Sequence, residues 1–440
     1  MSMTIVVEFV IVLAAIWMGA RSSGVGLGLW GAVGLLVLVV GFGVSPTSPP
    51  IDVMLIILAV IMAASVMDAA GGIDFLVRIA ERVIRANPKY VTIVAPLTTW
   101  TFSFVAGTGH IVYPLLPVIY ETAHQSGIRP ERPMAVATIA SQQAITASPV
   151  AAATAAMIGL FSEKGLPWGL PQIMMICVPA TLIGVIVAAV ISMFLGKDLK
   201  DDPEYQARLK SGAIPQPKAA TERPPLKAGA ALSAGLFLVA VTLVVLFGFF
   251  PALRQLPGAK APLAMPIVIE IVMLAVAAVM LVATKVPVDE IPKTATLRAG
   301  VVAVIGIFGL AWLGDSFIGA NQAVIVPAIG HMTEAAPWTF TFGLFFASVL
   351  LYSQAATTRA LMPLGIALGI PPQFLIAMFP SVNGYFFIPT YGTLIAAINF
   401  DLSGTTKIGR YVVNHSFMVP GLVSTAVAVF VGLVLAKAIF

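Results

Sequence analysis

Gly107, Thr108, Gly109 and His110 interrupt one apolar stretch of the chain, and Thr146, Ser148 and Pro149 interrupt another. The second half repeats the arrangement with Gln354, Thr357, Thr358 and Arg359, then Pro389, Thr390 and Thr393. Small residues at a sharp turn expose backbone N–H and C=O groups. Helix N-termini ending there offer partial positive charge to a carboxylate, and C-terminal carbonyls can coordinate a cation. A proline inside a would-be spanning helix removes a backbone hydrogen bond and frees carbonyls one turn earlier. Pro149 and Pro389, flanked by hydroxyls, therefore read either as polar contact points or as kinks healed by those hydroxyls.

Arg359 is the strongest single candidate. A charge at mid-membrane costs at least about 2.5–3.5 kcal/mol, so it lines a cavity or has a partner. Its planar fork suits a carboxylate; the alternative is a structural ion pair with Asp315 or Asp401. His110 reads as a proton carrier, a donor to a ligand, or a neutral group at a helix start. Asp68 and Asp315, at corresponding helix ends, either brace the structure or couple protons or cations, since a carboxylate would repel a dianion. A coupling Na⁺, if one is used instead of H⁺, would sit near Thr108, Ser148, Thr357 and Thr393.

The elements that hold these residues are membrane-spanning helices. Of 440 residues, 59% are hydrophobic and only 10% are charged, far below the roughly 25% charged residues of soluble domains. Apolar runs near the spanning length of about 20 residues recur at 4–20, 25–43, 51–70, 171–195, 229–250, 264–283, 299–319 and 413–436. The first lacks a basic leader and a small-residue cleavage site, so it reads as a mature helix. Cys177 is the one cysteine, which excludes an intrachain disulfide. The net charge of +5 does not imply nucleic acid, because the basic residues follow membrane topology. No cofactor is implied.

With the N-terminus outside, nineteen of the 24 Lys and Arg residues fall in cytoplasmic loops. Both termini are then expected on the periplasmic or outer side. The count closes only if 91–123 and 338–370 are re-entrant hairpins that turn at a polar tip and leave on the side they entered. The first would open to the cytoplasm and the second to the exterior. Asp315, Pro363 and Pro389 follow Asp68, Pro117 and Pro149 in the same order and at a nearly constant offset. The expected fold is an all-α polytopic membrane protein of two inverted repeats, 1–195 and 229–440, each with a re-entrant hairpin and a discontinuous transmembrane helix. Residues 196–228, rich in charge and proline, are the expected cytoplasmic linker. Glu8 and Glu270 read as helix-packing or dimer-contact groups.

The chain also resembles a known family. Gly24-Val-Gly-Leu-Gly28, Asn87-Pro-Lys-Tyr90, Ala106-Gly-Thr-Gly109, Ala144-Ile-Thr-Ala-Ser-Pro149, Ala311-Trp-Leu-Gly-Asp315, Leu351-Tyr-Ser-Gln-Ala-Ala-Thr357, Ile388-Pro-Thr-Tyr391 and Asn414-His415 are similar, in this order, to the anaerobic C4-dicarboxylate transporter (Dcu) family of bacterial inner-membrane carriers. Arg359 stands where that family is expected to have lysine, and His110 where it is expected to have asparagine. The resemblance implies exchange or cation-coupled uptake of succinate, fumarate, malate or aspartate. It also implies an elevator-type ion-transporter fold, a homodimer and, for some members, a membrane sensor kinase as partner. Substrate would bind between the two tips and the two proline breaks, with Arg359 on one carboxylate. Three rivals remain: a sodium/proton antiporter using Asp68 and Asp315, an intramembrane aspartyl protease, and a pure sensor or scaffold that binds without flux. Against the protease, Trp312-Leu-Gly-Asp315 lacks the first glycine of the Gly-x-Gly-Asp pattern.

Overall fold

The computed structural model describes residues 3–22, 24–214, 225–351, 353–409, 411 and 414–440; Tyr352 of the Leu351–Thr357 motif, and Lys218, Arg223 and Arg410 among the nineteen basic residues counted as cytoplasmic, lie outside them. The described residues are helical almost throughout, with one isolated bridge between Ile408 and His415. The first half opens with α1 (Met3–Ser22), α2 (Gly26–Phe42) and α3 (Ile51–Ala69). The amphipathic α4 (Gly72–Ala86) buries Leu76, Val77, Ala80 and Ile84, the spacing of a single helical face. A hairpin follows, α5 (Val91–Ala106) and α6 (Leu116–Gln125), then a helix broken into α7 (Glu131–Gln143) and α8 (Ala152–Glu163), then α9 (Leu170–Ser192).

After the short α10 (Pro203–Lys210), the second half repeats that succession. It has α11 (Ala230–Phe249), α12 (Met265–Thr284) and α13 (Ala295–Gly306), which runs through a π-helical turn into α14 (Trp312–Ala335). The second hairpin is α15 (Phe340–Leu351) and α16 (Gln354–Ala367). The second broken helix is α17 (Pro372–Met378), a 3-10 segment and α18 (Gly392–Phe400), before α19 (Met418–Ile439). Among the described residues, six helices are long and apolar enough to cross a membrane: 51–69, 170–192, 230–249, 265–284, 295–324 and 418–439. The hairpin arms hold 16, 10, 12 and 14 residues, each short of the about 20 needed to span.

The halves are not separate lobes. Helix α3 packs on α12 and α9 on α19, and one continuous core draws residues from both. Helix α2 crosses the π-helical turn Ile307–Ala311 at backbone contact. A Cβ on Gly28 would lie 2.0 Å from the Ile305 carbonyl oxygen, and one on Gly309 would lie 1.7 Å from that of Gly28. Small residues at a crossing are what let helices in lipid approach this closely. Glu8 is a packing group within the chain, accepting a hydrogen bond from Asn321 at 2.6 Å.

The expected linker is partly folded. Asp202 caps α10 by accepting the Glu204 and Tyr205 N–H groups at 3.0 and 3.2 Å, and it pairs with Arg129. Burial alone would raise the Asp202 carboxyl, but Arg129 and the two backbone donors outweigh it and hold the group below the usual carboxylate range.

Candidate functional site

Helix α5 ends at Gly107, whose φ of +68° places it in the left-handed region that closes many helices. Thr108 is extended, and its hydroxyl accepts the His110 N–H at 3.3 Å to start the 3-10 segment Gly109–Leu115. This tip lies directly on the first break. A Cβ on Gly107 would sit 2.6 Å from the Val150 carbonyl oxygen, and Ser148 Oγ donates to the Phe104 carbonyl at 2.6 Å. Thr146 and Ser148 are buried and bonded to backbone, Thr146 to the Gln143 carbonyl at 3.0 Å; Pro149 is buried between the two half-helices. These three hold the break in place.

In the second hairpin the turn lies earlier than the sequence reading put it. Ser353 caps α16, its Oγ accepting the Ala356 N–H at 3.2 Å, so the tip is at Ser353 and Gln354. Thr357, Thr358 and Arg359 are helical and buried, not part of a tip. The serine is a strong N-cap and the alanines that follow favour helix. Thr357 and Thr358 donate to the Ser353 and Gln354 carbonyls, both at 2.7 Å. At the second break Pro389 and Thr393 are buried and Thr390 is exposed; the Thr393 hydroxyl has no hydrogen-bond partner among the described residues.

Both tips and both breaks open on one cavity of about 770 Å³. The first tip contributes Gly107, Thr108, Gly109 and the exposed His110, and the second contributes Ser353 and Gln354. Val150 and Ala152 come from one break, Thr390 and Tyr391 from the other. Arg298 and Thr296 on α13 also line it, and no Asp or Glu is among the described lining residues. The volume is typical of ligand pockets, roughly 300–1,000 Å³. The tips reach across to the opposite breaks: Gln354 Nε2 donates to Gln142 Oε1 at 2.9 Å, and a Cβ on Gly392 would meet the Tyr113 hydroxyl at 2.5 Å.

Arg359 does not reach this cavity's lining. Its guanidinium, 1% exposed, pairs with Glu163 Oε2 at 2.9 Å and Asp315 Oδ2 at 3.2 Å, and those two acids line a second cavity of about 750 Å³ with Asp52 and Lys164. Asp315 thus has the arginine partner that its sequence position allowed, while Glu163 was not foreseen. Asp68 accepts a hydrogen bond from Thr296 Oγ1 at 2.7 Å, joining α3 to the start of α13. No group of three His, Cys, Asp or Glu side chains that could hold a metal occurs among the described residues.

Sequence reasoning also missed Gln142, Asn383 and Arg298. The two amides sit in apolar surroundings, and Gln142 belongs to the polar Ser141-Gln-Gln run, a usable signal. Arg298 looks like any other loop-flanking base, and only the fold brings it to the cavity.

Comparison with known proteins bears on what this geometry serves. The family described as "Anaerobic c4-dicarboxylate membrane transporter" (DcuA/DcuB) matches residues 4–440. The anaerobic C4-dicarboxylate transporter DcuB of Escherichia coli is 39% identical over 444 residues, 99% of each chain. The C4-dicarboxylate transporters DcuA of Wolinella succinogenes and of Escherichia coli strain K12 are 41% and 42% identical, covering 98% of this chain and 99% of theirs. Among solved structures, Neisseria gonorrhoeae MtrF, placed in a class of antimetabolite efflux pumps, superposes with a TM-score of 0.54 at 14% identity, covering 99% of this chain and 94% of its own; this likeness concerns the fold alone. The chain is a membrane protein, not an enzyme, and it belongs to the DcuA/DcuB family of anaerobic C4-dicarboxylate membrane transporters.

Proposed function

We propose that the protein carries C4 dicarboxylates, such as succinate, fumarate, malate and aspartate, across the bacterial inner membrane. The cavity that joins two hairpin tips and two helix breaks without an acidic side chain is the observation that carries this reading. Breaking helices inside a membrane is costly unless the freed backbone lines a ligand site. One carboxylate would meet the Thr108–His110 tip, whose residues line the cavity. The other would meet the backbone at the Ser353–Gln354 tip and Thr390. Arg298, exposed on the lining, would draw the dianion in.

The repeated element order supports inverted repeats over 1–195 and 229–440, with an elevator-like displacement of the hairpins giving alternating access. By the distribution of basic residues, this cavity would open to the cytoplasm and the termini would lie outside. Exchange of one dianion for another moves no net charge; net uptake needs Na⁺ or H⁺. A homodimer and a sensor-kinase partner belong to the same reading. The sodium/proton antiporter is the weaker alternative, because Asp315 is held by Arg359 and Asp68 by Thr296.

The test is uptake of labelled succinate into proteoliposomes with and without internal fumarate, and with Na⁺ or a pH gradient imposed in turn. Dicarboxylate-stimulated uptake is expected. Cation flux that is indifferent to any dicarboxylate would replace this reading with the antiporter.

A further inference from the structure

One buried donor in the cavity has no partner. Gln142 is 2% exposed, lines the cavity, and its Nε2 makes no hydrogen bond among the described residues. That nitrogen lies against the first tip, because a Cβ on Gly109 would be only 2.3 Å from it. A buried polar atom left alone in a native fold calls for an explanation, and a ligand is one.

The orientation of this amide is set from a distance. Heavy-atom positions do not distinguish the oxygen of a side-chain amide from its nitrogen, so the network must decide. Asn383 Nδ2 lies 3.1 Å from the Pro380 carbonyl oxygen, which can only accept, so this atom is the donor. Asn383 Oδ1 therefore faces Gln354 and accepts from its Nε2 at 3.1 Å. Gln354 Nε2 gives its other hydrogen to Gln142 Oε1 at 2.9 Å. The Gln142 oxygen is then occupied, and its NH₂ group, beside Gly109 of the first tip, is the end left without a partner among the described residues. The second Asn383 hydrogen points to Gln143 Oε1 at 3.3 Å, whose Nε2 donates to Thr425 Oγ1 at 2.8 Å, in the same sense. One backbone carbonyl thus polarises a chain of amides that crosses from the second half to the first, and the chain ends as a donor.

We propose that Gln142 binds substrate directly, donating through Nε2 to a carboxylate of the dicarboxylate, and that Gln354 and Asn383 are positioning residues that keep its donor face inward. This rests on the functional reading above and adds to it a ligand and a polarity. A donor in this place suits an anion; the opposite polarity would present an oxygen and repel it.

The experiment is succinate uptake and succinate-induced thermal stabilisation in purified, reconstituted protein. Gln142→Glu keeps the contact from Gln354 but turns the cavity end into an acceptor, so KM should rise at least tenfold and the succinate-induced shift in Tm should vanish. The Tm without ligand should stay within a few degrees. Gln142→Met, which fills the space with no donor, carries the same expectation should the glutamate variant fail to fold. Gln354→Glu, which removes the hydrogen given to Gln142, should raise KM several-fold with kcat nearly kept. Wild-type uptake together with unchanged KM in both Gln142 variants overturns the assignment of Gln142 alone. No succinate binding or uptake by the wild type overturns the functional reading and this proposal together.

Discussion

Arg359 Nη2 lies 3.2 Å from Asp315 Oδ2, an ion pair that ties the second arm of the second hairpin to α14. Glu163, the last residue of α8, takes Nη1 of the same guanidinium at 2.9 Å. The arginine thus joins three elements that the chain brings from both halves. Because its charge is met by protein acids, it acts in this conformation as a brace between these elements.

Removing that brace should be expensive. Arg359→Ala leaves two carboxylates facing each other, and losing one partner of a buried pair costs about 3–5 kcal/mol. Chemical denaturation in detergent should show this loss. Arg359→Met combined with Asp315→Asn and Glu163→Gln should recover most of it. If the single variant is as stable as wild type, the brace is refuted.

Gly107→Ala should disable the first tip. Its φ of +68° is unfavourable for a residue with a Cβ by about 1–2 kcal/mol, and the new atom would meet the Val150 carbonyl oxygen at 2.6 Å. Uptake is expected to fall more than tenfold while Gly127→Ala, at another left-handed turn with open space around it, leaves it near wild type. Equal effects at the two positions would remove any special role for the tip.

Arg298 should act mainly through its charge. Arg298→Glu is expected to raise KM for a dianion at least tenfold at low salt, with a smaller effect at about 0.5 M salt, where screening shortens the reach of an exposed charge. Arg298→Lys should keep most activity. Salt-independent loss in the glutamate variant would point to a packing role instead.

The docking of α10 should respond to acid and not to alkali. The Asp202 carboxyl is held below its usual range in the fold, so the stability it gives is complete above the unfolded value near 3.9. It disappears as pH falls through the lower folded value. Proteolysis within 196–228 should therefore be constant from about pH 5 to 8 and accelerate only below about pH 4. Arg129→Met should speed cleavage at neutral pH; unchanged cleavage there would separate the clamp from linker order.

The sequence located the helices, the two hairpins and the two breaks, because each leaves a local mark. A membrane helix is a long apolar run, and an interruption shows as Gly107, Pro149 or Pro389 inside one. It also marked Thr108, His110, Gln354 and Thr390, which the fold brings to one cavity. The turn of the second hairpin was misplaced because Ser353 supplies a cap that the more conspicuous Thr-Thr-Arg run obscured.

What only the tertiary structure decided is which of these polar groups line the cavity and which face each other. Arg359 and Asp315 are visible one at a time, but their union with Glu163 depends on three elements distant in the chain. The same holds for the amides of Gln142, Gln354 and Asn383, whose donor and acceptor sense is set by a single Pro380 carbonyl. Hydropathy is a property of each residue and survives in the sequence; the direction of a hydrogen bond belongs to a pair and exists only once the chain has brought the two together.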